Sequence, residues 1–549
     1  MTRPFMRSAG VLVAIAACVL TAPLVSRATG AQPACFVSTV SGDIQGAVAA
    51  ESCTFLGIPY AAPPINALRW KAPQPAAPWT GTLPATTTPP SCPNVNTGSP
   101  AGLEDCLRLN LWVRQPRPAT PAPVIVWLHT GSFVAASANF ASHNGRKLAE
   151  ETGVIVVAPN YRLGPLGFLT HSALAAEDPR GASGNYGLQD QRRALEWVRD
   201  HIAAFGGDPN NVTIAGTSAG GDSAGLHLIS PASSGLFHRA IIESGTPTIK
   251  WPTHAESLAQ GTALATALGC LDPATVLTCL RSKTSNQIVS ALPVGSQQVV
   301  ETPTRAFWTP IVDGVELPDQ PRALFAAGRF HAVPTIIGYT RDEAAGAFVT
   351  RNFAGGVVSS AQYNAWVTTE FGGDASAVLD HYPTAAFASP FDAMAQVVGD
   401  AQFACESRRL ARFIEEARAP VYLFSYDYVI DDLSPDYVVH GVESNIVFGN
   451  AYVPTQFSNH PLTPADLALH RLMAGYWTRF AATGSPNVDD DSVFHWPLFK
   501  DPTGPGRGAN RFVIFDGGVR ADKRPREGAC NFWEPYFLRT ILGKVPAVQ

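Results

Sequence analysis

The stretch Val212-Thr-Ile-Ala-Gly-Thr-Ser-Ala-Gly-Gly leaves a chain few ways to fold around it. Its alternating and β-branched residues up to position 215 predict a buried strand. From 219 to 229 the pattern lengthens into a helical one. Ser218 therefore stands at a sharp strand-to-helix corner between Gly216 and Gly220. Glycine is needed there because a side chain at either position would strike the opposing segment. This is the geometry of a nucleophile elbow, but G-x-S-x-G also occurs at ordinary turns. The rest of the chain has to decide.

Apolar strand-like runs recur at 124–129, 154–159, 212–215, 240–242, 334–338, 421–426 and 512–515. Helical patterns fall between several of them, notably at 188–205, 219–229 and 465–482. Such alternation predicts an α/β fold, a large mostly parallel sheet flanked by helices. In sheets of this kind the site lies at the carboxyl ends of strands, and Ser218, His129 and Glu343 all stand at or just past such ends. The chain has neither internal repeats nor a long linker, and its most loop-like stretch is 84–100. Its 549 residues, 46% hydrophobic and 15% charged, can bury a large core and argue against extended disorder. A net charge of −5 without a dense Lys/Arg block gives no electrostatic footprint for nucleic acid. H-E-x-x-H, a Walker loop and C-x-x-C are all absent from the sequence, so no metal or cofactor is implied.

The N-terminus reads as an export signal over residues 1–31, followed by one domain over 32–549. Arg3 and Arg7 precede a largely apolar run at 11–25, and small residues follow at Ser26, Ala28 and Ala31. The expected location is secreted or periplasmic, with no transmembrane segment. A lipid anchor at Cys18 is the alternative, weakened because apolar residues continue past it. Removing the leader leaves eight of the nine cysteines, an even number that points to disulfides in an exported chain. Connectivity stays open, with on the order of a hundred pairings possible. Short separations favour Cys35–Cys53, Cys92–Cys106 and Cys270–Cys279, with Cys405–Cys530 left by subtraction.

Ester hydrolysis through serine needs a base for the hydroxyl, a carboxylate to orient the base and fixed donors for the oxyanion. In α/β-hydrolases the chain order is serine, acid, histidine. The sequence offers Ser218, then Glu343 in Gly338-Tyr-Thr-Arg-Asp-Glu, then His440 in Val439-His-Gly-Val-Glu-Ser-Asn. His129 opens His-Thr-Gly-Ser-Phe directly after a strand. Asp342 competes with Glu343 for the acid role. Glu443 is read either as a support for the His440 loop or as a surface charge.

At these residues the chain resembles the type-B carboxylesterases, the family that includes cholinesterases. The likeness also runs through Phe55-Leu-Gly-Ile-Pro-Tyr-Ala, Glu104-Asp-Cys-Leu-Arg-Leu-Asn, Asn160-Tyr-Arg-Leu-Gly and Gly187-Leu-Gln-Asp-Gln. The resemblance implies an α/β-hydrolase fold with cap and loop insertions around an active-site gorge, acting on small-molecule esters. It implies Ser218 as nucleophile, His440 as base and acid, and Glu343 as orienting acid. Backbone N–H groups of Gly131, Ser132 and Ala219 would form the oxyanion hole. It further implies the pairs Cys92–Cys106, Cys270–Cys279 and Cys405–Cys530, and a buried ion pair formed by Glu104 and Arg162.

Departures from the family narrow the substrate. Thr217 stands where many relatives carry glutamate, so a negative charge beside the site is expected to be missing. The loop between Cys92 and Cys106 has no tryptophan to hold a choline cation. Both argue against cholinesterase activity. Thr304 and Ala306 align with bulkier residues of the acyl pocket. Trp251 is read as lining the same pocket, with core packing as the alternative. An interfacial lipase, a polymer or xenobiotic esterase and a non-catalytic adhesion protein are the competing functions.

Overall fold

In the computed structural model the described residues are 1, 34–96, 99–292, 308–345, 357–430, 436–450, 461–490, 492–500, 511–523 and 526–542. The expected leader with Cys18, and Thr304 and Ala306, lie outside them. Contacts group Cys35–Gln549 as one unit and Met1–Ala34 as another. No helix among the described residues is long and apolar enough to cross a membrane.

β-Branched and aromatic runs build one large mixed sheet. Its order in space begins Phe36–Thr39, Gly42–Ala49, Ser52–Pro59, Arg108–Arg114, Ile155–Pro159, Ala122–Leu128. It continues Gly207–Thr217, Arg239–Glu243, Thr335–Thr340, Val421–Tyr426, Phe512–Phe515, Val519–Asp522. From Ile155–Pro159 to Phe512–Phe515 every neighbouring pair is parallel. These strands are covered on both faces, which is why Ile155–Pro159, Thr335–Thr340 and Val421–Tyr426 are buried at every residue. The pleat sends Val124, Val126 and Leu128 into one core and Ile125 and Trp127 into the other. Helices Tyr186–His201 and Ala219–Ile229 close the first face through Leu195, Val198, Leu226 and Leu228. Helix Pro464–Thr483 closes the second with Leu469, Met473, Trp477 and Phe480.

The expected α/β architecture is the one found, as are the three central helical patterns. The 188–205 pattern divides into the helix Tyr186–His201 and a short 3₁₀ turn, Ile202–Phe205, ended by Gly206 at φ 91°. The expected Glu104–Arg162 pair is not formed. Arg162 binds Asp190 of helix Tyr186–His201 through Nε (2.7 Å) and Nη2 (2.7 Å), and both side chains are buried. Glu104 takes Arg69 instead. Each of these four residues meets an opposite charge in its own pair, so neither Arg162 nor Glu104 is left without a counter-charge.

Four disulfides join Cys35–Cys53, Cys92–Cys106, Cys270–Cys279 and Cys405–Cys530. The first three close loops of 18, 14 and 9 residues, whereas the last spans 125. Cys405 and Cys530 also sit in a core of their own with Trp533, Tyr382 and Phe371. In the chain-entropy account the long bridge contributes about 4–5 kcal/mol and the short ones about 3 each. Replacing Cys405 and Cys530 together by serine should therefore lower the melting temperature more than replacing any other pair. An equal or larger fall for Cys270 and Cys279 would show that loop entropy does not rank these bridges.

Candidate active site

Strand order reverses around Ala122–Leu128. The chain crosses first to Ile155–Pro159 on one side and later to Gly207–Thr217 on the other. Such a reversal opens a crevice at the carboxyl ends of the two strands, and Ser218 and the loop after Leu128 both stand there. Ser218 has φ 57° and ψ −125°, a strained conformation for a residue with a side chain. Its N–H donates to Glu243 O (3.0 Å), and its carbonyl accepts from Asp222 N (2.8 Å). The flanking glycines have the role expected of them. A Cβ on Gly216 would lie 2.5 Å from Gly220 C, and one on Gly220 would lie 2.0 Å from Leu128 O.

The loop after Leu128 is unusual in conformation. Gly131 has φ 111°, and left-handed values continue at Ser132 (54°) and Phe133 (62°), whereas Thr130 stays outside that region. Gly131 O accepts from Val134 N (3.0 Å) and Ala135 N (2.9 Å), which folds the loop tightly. Among the described residues the N–H groups of Gly131 and Ser132 have no acceptor. Ala219 is the first residue of its helix, where an N–H lacks an intrahelical partner. Contact between Gly220 and Leu128 holds these three donors in one neighbourhood. His129 is stacked on Tyr161 with ring centroids 4.1 Å apart, and its Nδ1 lies 2.8 Å from Thr130 O. Burial pushes its pKa down to about 4, so it stays neutral as a packing group.

Glu343 follows strand Thr335–Thr340, and its Oε1 accepts from Thr340 N (2.8 Å). His440 Nδ1–H donates to Glu343 Oε2 at 2.5 Å. Asp342 instead ties down the segment leading to His440. Its Oδ2 accepts from Val438 N (2.9 Å) and Arg341 Nε (2.8 Å). Burial favours neutral His440, but the charge and hydrogen bond of Glu343, with Glu443 and Asp222 beyond, outweigh it and raise the pKa. The ring of Phe403 lies 5.2 Å from the imidazole. A Cβ on Gly441 would stand 3.8 Å from Thr217 Oγ1, so the His440 turn meets the elbow next to Ser218.

Glu443 is buried, not a surface charge. Its Oε1 accepts from Ser244 Oγ (2.8 Å) and Thr217 Oγ1 (3.4 Å), joining helix Val442–Phe448 to the elbow. Burial and the nearby Glu343 push its pKa up to about 7. Glu243, bonded by Trp477 Nε1 at 2.6 Å, is likewise held well above the usual carboxylate range by burial and by Glu443. Thr217 does remove one carboxylate, but Glu443 and Asp222 stand close by. Asp222 could have been noticed as the one acid in an apolar helix, four residues after the serine. Nothing local in the sequence marks Glu243 as a neighbour of Glu443. Trp251 is buried, packed edge-on against Phe133 at 6.0 Å, with Nε1 donating to Pro247 O (2.9 Å).

A serine on a strained elbow, an imidazole held by a buried carboxylate and three clustered N–H donors are the parts of nucleophilic acyl transfer. Residues 33–533 match the model of the carboxylesterase family. The chain is 33% identical to an acetylcholinesterase of Bungarus fasciatus, over 93% of this chain and 88% of that one. It is 35% identical to a fumonisin B1 esterase of Sphingopyxis macrogoltabida, over 84% of each. The chain belongs to the carboxylesterase family and is a carboxylic-ester hydrolase.

Proposed function

We propose that the protein is an exported serine carboxylesterase, with a leader at 1–31 and one catalytic domain at 32–549, acting on neutral esters with uncharged alcohol parts. The observation that carries this reading is the 2.5 Å hydrogen bond from His440 to Glu343, beside the elbow that bears Ser218. Ser218 Oγ attacks the ester carbonyl while His440 Nε2 takes its proton. Glu343 holds the imidazole in the tautomer with hydrogen on Nδ1 and stabilises the imidazolium. The carbonyl oxygen becomes an oxyanion held by Gly131, Ser132 and Ala219 N–H groups. His440 then protonates the departing alcohol, leaving an acyl-serine. Water, deprotonated by the same imidazole, releases the acid. Thr217 and the tryptophan-free loop between Cys92 and Cys106 support an uncharged alcohol over choline. Four disulfides support export, because such bonds persist in oxidising compartments.

Ser218→Ala should lower kcat by about 10⁴–10⁶-fold with the fold retained, as in other dismantled serine triads. Turnover within tenfold of the wild type, from clean protein, would exclude Ser218 as nucleophile. Glu343→Gln should cost about 10⁴-fold, and Asp342→Asn far less. The reverse ranking would move the acid role to Asp342.

The pH profile separates these residues further. The base must be neutral, so kcat/KM should rise with pH through a midpoint above that of a free imidazole. Glu343→Gln removes a partner that raises the His440 pKa, so the residual activity should have its midpoint at lower pH. A midpoint that stays put or moves upward would contradict the pairing.

Gly131→Ala is incompatible with the loop, because the new Cβ would lie 2.2 Å from Ala135 O at a left-handed φ. Losing that donor should lower kcat by about 10²–10³-fold with little change in KM. A rise in KM alone would place Gly131 in substrate binding and not in oxyanion stabilisation.

A further inference from the structure

Helix Ala219–Ile229 buries every residue but one. The exception is Asp222, which is half-buried although its neighbours Ser218, Tyr161 and Thr246 are all buried. Asp222 stands one helical turn past Ser218, its N donating to Ser218 O (2.8 Å), and His440 senses its charge, which puts the acid beside the Ser218 site. One carboxylate oxygen is occupied: Oδ1 accepts from Thr246 N (2.5 Å) and Thr246 Oγ1 (3.4 Å). Oδ2 accepts no hydrogen bond among the described residues. Tyr161, whose hydroxyl also senses this charge, donates its own proton to His129 O (2.8 Å). The acid therefore keeps one open acceptor beside the Ser218 site.

Its position assigns it to one half of the substrate. The alcohol must leave on the His440 side, since His440 protonates it, and the carbonyl oxygen takes the Gly131–Ser132–Ala219 donors. The acyl chain is left with the remaining direction. Thr246, which anchors Asp222, begins the segment that leads to Trp251, and Trp251 packs on Phe133 next to the oxyanion loop. We propose that Asp222 is a specificity residue of the acyl site, selecting acyl chains that carry a hydrogen-bond donor, hydroxyl or amino, over chains that carry a carboxylate. This rests on the ester-hydrolase reading of the Ser218 site. An open carboxylate in a poorly hydrated cleft gains a charge-assisted bond from a donor and repels an anion. Burial raises its pKa to about 7, with Thr246 and His440 opposing, so at about pH 8 it is ionised.

The test measures kcat/KM at about pH 8 for ethyl butyrate, ethyl 3-hydroxybutyrate, monoethyl succinate and the butyrate ester of glycolic acid. Wild type, Asp222→Asn and Asp222→Ala are compared. Asparagine keeps an acceptor for Thr246 N, and each result is read as a ratio to ethyl butyrate within one protein. A loss of folded enzyme cancels in that ratio. In Asp222→Asn the succinate ratio should rise by about tenfold or more, and in Asp222→Ala the hydroxybutyrate ratio should fall by about as much. The glycolate ester, anionic on its alcohol side, should change by less than about twofold. Ratios unchanged in both variants would overturn the proposal, as would a glycolate shift equal to the succinate shift. No turnover of any of the four esters by the wild type would overturn the hydrolase reading itself, and this proposal with it.

Discussion

The contact between the elbow and the strand end at Leu128 governs the rest of the site. Gly216, Gly220 and Leu128 O approach so closely that no side chain fits at either glycine. That approach brings two unrelated segments together, the helix beginning at Ala219 and the loop of Gly131 and Ser132. Three backbone donors converge as a result, with the Tyr161 hydroxyl bracing the start of the loop at His129 O (2.8 Å). The strain at Ser218 is held by the same frame, through its hydrogen bonds to Glu243 O and from Asp222 N.

Acidic groups then set the protonation behaviour of the site. Glu343 works on His440 directly, at 2.5 Å, while Glu443, Glu243 and Asp222 lie elsewhere around the site in buried or half-buried positions. Burial favours the protonated form of each of these three acids. Around neutral pH this limits the repulsion that several close carboxylates would otherwise produce. The imidazole still gains from Glu343, whose geometry makes it the dominant charged partner. Glu443 also has a mechanical part, linking helix Val442–Phe448 to Ser244 and Thr217.

The parallel strands and the glycine-flanked elbow are legible in the sequence because each rests on local signals. β-Branched runs mark buried strands, and glycines mark close approach. The antiparallel strands Gly42–Ala49 and Ser52–Pro59 are not legible there, because their mixed, partly buried residues leave only a weak alternation. Strand Gly207–Thr217 begins five residues before the apolar run, across a register shift with Ala122–Leu128. Charge pairing was the least legible feature. Arg162 meets Asp190 and not Glu104, and Asp222 and Glu443 come near His440 from other parts of the chain. Such partners are chosen by the tertiary fold, which places residues far apart in sequence side by side.

The central claim is that Ser218 is the group that becomes acylated. A fluorophosphonate probe reacts with an activated serine and leaves a stable phosphonyl adduct, so peptide mapping after brief labelling tests it directly. The account predicts one modified residue per chain, Ser218, with labelling abolished in Ser218→Ala and strongly slowed in Glu343→Gln. Labelling of another serine at a comparable rate, or full labelling of the Ser218→Ala protein, would contradict it.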